Sequence, residues 1–295
     1  MIQQRNLDKT TVDWINSQAM GLEARGALGG TIYYVENNSG NDKRDGLSWD
    51  NAFKTLSKAI SVCHKDMGRR ARFARRNTIY ICGDAIEEDI VLLPEKTDIV
   101  GIGQCDGYFG ARLKGNHVPA TRSTSGVRFY NVTFHAATGV IWTLTNNQPG
   151  IEFHRCTFLA GASTTIAILL TAVGTCKISN CDFMGYWDSQ FSTAAIDIAI
   201  GHANGQVIEY CNIENNPIGI RVIINKTGGA CFIRHCNIKT TAQTIDDNSG
   251  TFWVIGNNLI SAAATGAGSI DVAALHAVGN WYQDASKAGN YPVTA

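Results

Sequence analysis

The sequence predicts an all-β chain wound as a single-stranded parallel β-helix, a solenoid closed at its N-terminal end by a capping helix. The first observation is a recurring phrase: VRFYNVTF, IEFHRCTF, CKISNCDF, QVIEYCNI, CFIRHCNI, FWVIGNNL and LHAVGNWY. Its key residues are Val132, Cys156, Cys181, Cys211, Cys236, Asn257 and Asn280, at gaps of 24, 25, 30, 25, 21 and 23 residues. A drifting period with insertions suits a coil that adds one layer per turn while its loops bulge outward. The second observation is another ladder of the same period, in which Ile196, Ile220, Ile245 and Ile270 align. The third is composition: 30 glycines against 5 prolines favour short strands joined by turns.

The elements follow in order. Residues 1–30 form an arm, in which Val12, Ile15, Ala19 and Leu22 fall at helical spacing and RGALGG from Arg25 reads as a joint. From its residues alone it reads as a helix folded back on the cap. Residues 31–120 hold the cap and first coils. There a YYV strand leads through a polar loop to a helix carrying Phe53, Leu56, Ala59, Ile60 and Cys63 on one face, with Asp50 or Asn51 as N-cap. Residues 121–284 are the repeat coils and 285–295 a C-terminal tail, giving roughly eight to ten coils in all.

Within each phrase, apolar residues stand five and three before the key position and two after it: Val127, Phe129 and Phe134, then Ile151, Phe153 and Phe158, then Cys231, Ile233 and Ile238. Strand alternation with a bend turns these inward to stack on their equivalents one layer away. Cys156, Cys181, Cys211, Cys236, Asn257 and Asn280 then form one core ladder, with the cysteines as free thiols and the asparagine amides bonding up the stack.

The order YYV, DGLSWDNAFKTLSKAI, TIYICGD and IVGIG resembles the N-terminal cap and first coils of pectin-lyase-like right-handed parallel β-helix proteins, over about Thr31 to Tyr282. What the resemblance implies is a right-handed coil with a helix over its open first turn, where unpaired strand edges would otherwise meet solvent. That fold hosts polysaccharide lyases, glycosidases, phage tailspikes and non-enzymatic virion proteins, so it implies the fold more narrowly than the function.

Composition excludes other classes. Lys and Arg number 25 and Asp and Glu 25, so bulk charge predicts no nucleic-acid partner. No apolar run approaches a membrane span, and MIQQRNLDKTTVDWINSQ lacks the apolar core of a signal peptide, which predicts folding in a host cytoplasm. Nine cysteines without a CxxC pair predict reduced thiols, and no metal or other cofactor is expected.

Candidate chemistry lies in the second ladder, where Asp197, Arg221, Asp246 and Asp271 align outside. Glycoside hydrolysis needs two carboxyl groups roughly 5 to 9.5 Å apart. Layers spaced by about 4.8 Å put Asp246 and Asp271 near the shorter distance, and Asp197 and Asp246, straddling Arg221, near the longer. The plainer reading is alternating charge on an exposed sheet, with Leu169 and Trp142 as further neighbours in that row. His154 and His235, beside Cys156 and Cys236, should point away from the sulfurs, which argues against zinc. The run GRRARFARRN (residues 68–77) is either a binding loop or a solvated one neutralised by Glu87, Glu88 and Asp89. A row of Phe232, Trp253, Ile255 and Val278 predicts an apolar outer surface for self-association.

With what the resemblance implies, the expected function is a non-enzymatic phage virion protein, a trimeric capsid decoration, head fibre or short spike joined to a capsid or tail protein through residues 1–30 as its attachment or trimerisation arm. The alternative is a polysaccharide-degrading or glycan-binding β-helix of the tailspike type.

Overall fold

The computed structural model describes residues 30–69, 76–83, 85–103, 111–120, 126–145, 150–171, 175–185, 189–199, 205–222, 231–247, 253–256, 258–262, 270–272, 277–278, 281–283 and 290–292. The chain is all-β, with 22 strands and one helix among the described residues. The arm lies outside those residues, as does the tail apart from 290–292.

Two sheets are built in turn. The first contains Ile32–Glu36, Asn77–Cys82, Thr97–Gly101, Arg128–Tyr130, Ile151–His154, Cys176–Ser179, Val207–Glu209, Cys231–Arg234, Trp253–Gly256 and Ala277–Val278, in that spatial order. The second runs from Ile86–Glu87 through Arg112–Lys114, Thr133–Leu144, Thr157–Leu170, Asp182–Gly185, Asn212–Val222, Asn237–Asp247 and Leu259–Ala262 to Trp281–Gln283 and Asn290–Pro292. Ala194–Ile198 and Ile270–Val272 pair beside this path. Every pairing is parallel except the last, where Asn290–Pro292 folds back antiparallel on Trp281–Gln283. The end of each phrase and the second ladder therefore share the second sheet, because in four repeats a single long strand carries both across bulges such as those between Ala136 and Thr138 and between Glu214 and Asn216.

The core follows the phrase. Phe129 stacks on Phe153 at 5.4 Å, Phe134 on Phe158 at 5.2 Å and Phe158 on Phe183 at 4.7 Å between ring centres. All are fully buried, as are Val127, Ile151, Ile233 and Ile238. Trp142 fills the space between Phe129, Phe134 and Phe153. Against it lies His117, whose Nδ1 accepts the Ile90 N–H at 3.1 Å; burial pulls its pKa down to about 3 and keeps it neutral.

The cap is held by side-chain oxygens. Helix α1 (Leu56–Arg69) buries Leu56, Ala59, Ile60 and Cys63, as its spacing predicts. Its N-cap is Thr55 rather than Asp50 or Asn51: Thr55 Oγ1 accepts the Lys58 N–H at 3.2 Å, and Asp42 fixes Thr55 by accepting its N–H and hydroxyl. Glu88, from the following coil, accepts the Leu56 and Ser57 N–H groups at 2.8 Å each, placing a carboxylate at the positive end of the helix dipole. The free edge of Ile32–Glu36 is occupied: Tyr34 N–H donates to Gly46 O, and Phe53 exchanges backbone bonds with Tyr34 and Glu36. Gly46 sits at φ 72° with the Phe53 ring where a Cβ would be, which explains the glycine of DGLSWDNAF.

One expectation is corrected by this framework. Phe232 pairs with Val254 and Ile233 with Ile255, so Cys236 aligns with Asn258, not Asn257. The doubled asparagine of FWVIGNNL admits two alignments, and a slip of one residue exchanges the faces of a strand. Glu87, Glu88 and Asp89, expected beside the arginine-rich run, have partners elsewhere, and most of that run lies outside the described residues. They engage Lys114, the helix N-terminus and the Asn116 N–H, while Arg76 pairs with Asp98 at 2.7 Å.

Candidate functional site

Five repeats pass from the first sheet to the second through one residue in the left-handed region. Asn131, Arg155, Asn180, Tyr210 and His235, with φ between 52° and 55°, immediately precede Val132, Cys156, Cys181, Cys211 and Cys236. This corner sets the next side chain inward. Each ladder cysteine donates weakly to two carbonyls; for Cys181 these are Phe153 O at 3.5 Å and Ser179 O at 3.4 Å. The four thiols are free and buried, and burial holds those of Cys181 and Cys211 well above the ordinary range. Asn258 continues the row by bonding back to the coil below: Oδ1 accepts the Cys236 N–H at 2.8 Å and Nδ2 donates to Ile233 O at 3.1 Å. Asn280 lies outside the described residues.

The outer ladder of the second sheet has the expected register, Asp197 beside Arg221, Arg221 beside Asp246 and Asp246 beside Asp271. It is not an exposed charge row at its start. Asp197 is only 3% exposed, and both its oxygens accept from Arg221, from Nε at 3.2 Å and from Nη2 at 2.5 Å. The side chains of Asp246 and Asp271 are outside the described set. Leu169 adjoins Asp197 as expected, but the next residue in that row is Thr143; Trp142 pairs with Ile168 and belongs to the core.

The first sheet carries the richer outer face. One outer row runs Thr78, Asp98, Arg128, Glu152, Lys177, Val207, Phe232 and Val254, the other Tyr34, Tyr80, Val100, Tyr130, His154, Ser179, Glu209, Arg234, Gly256 and Val278. Trp253 and Ile255, expected in these rows, are instead in register with Cys231 and the buried Ile233. Val278 is in register with Gly256, and half-buried Phe232 lies under the Arg234 guanidinium, 5.7 Å from its ring centre. The side chains of Trp253, Ile255 and Val278 lie outside the described set.

Charges on this face pair between coils. Asp98 accepts two bonds from Arg128, at 2.7 and 2.8 Å, as well as the bond from Arg76. Glu209 lies between Lys177 at 2.8 Å and Arg234 at 2.7 Å. Burial alone would raise the Glu209 pKa, but these two cations outweigh it and hold the group below its ordinary value. His154 Nε2 meets Glu152 at 2.7 Å, and its ring stacks on Tyr130 at 5.0 Å and 13°, whereas the Cys156 sulfur contacts backbone carbonyls, so the two do not converge on a metal.

Across the middle of this face lies a groove of about 570 Å³, lined by Thr78, Asp98, Val100, Gly101, Tyr130, Asn131, His154, Arg155 and Asn180. Sequence reasoning places Tyr130 and His154 outside but assigns them no role. The missing signal is the left-handed corner, which brings Asn131, Arg155 and Asn180 alongside the aromatic row.

No protein-family model, no characterised protein and no solved structure matches the chain.

Proposed function

We propose that the chain is a right-handed parallel β-helix and that it serves as a non-enzymatic structural protein of a virion surface, a trimeric capsid decoration, head fibre or short spike of the phage kind. Support for the coil comes from two parallel sheets visited in turn beneath a capping helix, since parallel strands joined by crossovers wind almost always right-handed. The virion setting, the trimer and attachment through residues 1–30 rest on the resemblance of the cap sequence to pectin-lyase-like β-helix proteins.

The observation that carries the non-enzymatic reading is the commitment of outer carboxylates to cross-coil pairing: Asp98 to Arg76 and Arg128, Asp197 to Arg221, Glu209 to Lys177 and Arg234. A carboxylate already spanned by guanidinium groups is a poor proton donor and offers no free oxygen as a base. Purified protein should therefore run as three chains by light scattering and release no reducing ends from capsular or cell-wall polysaccharides. Cleavage that disappears in Asp197→Asn or Asp246→Asn would overturn the reading.

A second reading, glycan binding without cleavage, is favoured by the groove. An aromatic ladder beside amide and guanidinium groups is a surface suited to sugar rings.

A further inference from the structure

The stretch 86–91 ties the capping helix to the core through two neighbouring residues. On one side Glu88 accepts the Leu56 and Ser57 N–H groups at 2.8 Å each and closes the N-terminus of α1. Two residues on, the Ile90 N–H donates to His117 Nδ1 at 3.1 Å. Around it the contacts to the next coil run through backbone: the Glu88 N–H donates to Lys114 O and the Ala120 N–H to Val91 O. At Ile90 an imidazole stands where its neighbours use a carbonyl.

An imidazole that accepts at Nδ1 carries its proton on Nε2. That N–H has no acceptor among the described residues, and neither has Trp142 Nε1–H beside it. The rings of Phe134 and Trp142 lie 5.7 and 4.6 Å from the imidazole centre, and all three side chains are fully buried. Charged groups on the surrounding elements are engaged elsewhere. Glu87 meets Lys114, Glu88 the helix, Asp89 the Asn116 N–H and Arg128 the Asp98 carboxylate, while Tyr130 stacks on His154. Arg112, Lys114 and His135 alternate with the buried Leu113 and Phe134 and so take the outer face. The pocket that suits a neutral ring therefore offers nothing to a charged one.

We propose that His117 is an acid-sensitive latch: a second proton on its ring sets a donor against the Ile90 N–H and releases stretch 86–91, and through Glu88 the capping helix, while later strands stay paired. Burial lowers the folded pKa from 6.5 to about 3, so the latch is closed above 6.5 and weakens as pH falls below it. An opening that returns the ring to its ordinary pKa becomes about twentyfold more favourable between about pH 7 and about pH 5.

Hydrogen exchange of the full chain, read by mass spectrometry at those two pH values and corrected for the intrinsic rate, tests this. Protection of α1 and of 86–93 should fall about twentyfold in acid, while 151–154 and 176–179 keep theirs. His117→Asn puts Oδ1 in the place of Nδ1 and cannot titrate, so its exchange should not respond to pH. His135→Gln removes the imidazole of the neighbouring strand and should leave the response intact. Glu88→Ala should confine the response to 86–93. The last two variants decide the question even if the smaller asparagine does not support folding. A response that survives in His117→Asn or disappears in His135→Gln would overturn the proposal. So would an equal loss in all four segments, or no response in the unmodified protein. A helix that still follows pH in Glu88→Ala would overturn the route through Glu88.

Discussion

Two rows of the first sheet lie one residue apart in sequence and on opposite sides of the same strands. The inner row reads Ile79, Ile99, Phe129, Phe153, Ile178, Ile208 and Ile233, and every member is buried. The outer row, Tyr80, Val100, Tyr130, His154, Ser179, Glu209 and Arg234, changes character at almost every coil. Where parallel strands stack repeat on repeat, a residue that recurs once per repeat reports what its stack will accept. Inside, the stack accepts only apolar shapes that fit the layer below. Outside it accepts nearly anything, so the outer row is where function has room to differ from coil to coil.

The largest effect that could break this comparison is a deletion on the inner side. Phe153 touches Phe129, Phe134, Trp142 and Phe158, so Phe153→Ala should leave a cavity that spans two layers. The expected loss is about 3–5 kcal/mol of stability, read from denaturant unfolding, whereas His154→Ala, on the next residue, should cost far less. Equal losses would mean that the outer row is as tightly constrained as the inner one.

A smaller effect concerns the charge that the outer row does bury. Glu209 is held below its ordinary pKa, so its contribution is present above the unfolded value near 4.5 and is lost as pH falls through the lower folded value. Glu209→Gln keeps the shape and removes the charge. It should cost about 1 kcal/mol at pH 7, with the difference from the unmodified protein closing in acid. A difference that persists unchanged at low pH would assign the effect to packing instead.

These contrasts also show what the sequence discloses. The inner phrase was legible because burial repeats it: the apolar positions of Val127, Phe129 and Phe134 recur as Ile151, Phe153 and Phe158. The register of Asp197, Arg221, Asp246 and Asp271 was legible for the same reason, through the isoleucines beside them. What those side chains do was not, since the near-complete burial of Asp197 depends on surroundings that strand alternation does not describe. The slip at Asn257 came where the phrase loses its cysteine and offers two identical side chains for one place. The groove has no signature in the sequence because it is made by an interruption, a valine in a row of rings, and by corner residues whose backbone conformation leaves no period of its own.

That corner provides the smallest and most discriminating test. His235 is exposed, stacks on Tyr210 at 4.9 Å, and sits at φ 54° between the outer Arg234 and the inner Cys236. If the left-handed backbone is what the position demands, then asparagine, which enters that region readily and already serves at Asn131 and Asn180, should change stability by no more than about 0.5 kcal/mol. Valine, with its branched Cβ, should cost about 1–2 kcal/mol despite being a better strand former. The comparison separates backbone from ring: a loss in His235→Asn as large as in His235→Val would show that the stack on Tyr210, rather than the turn, holds the coil's corner.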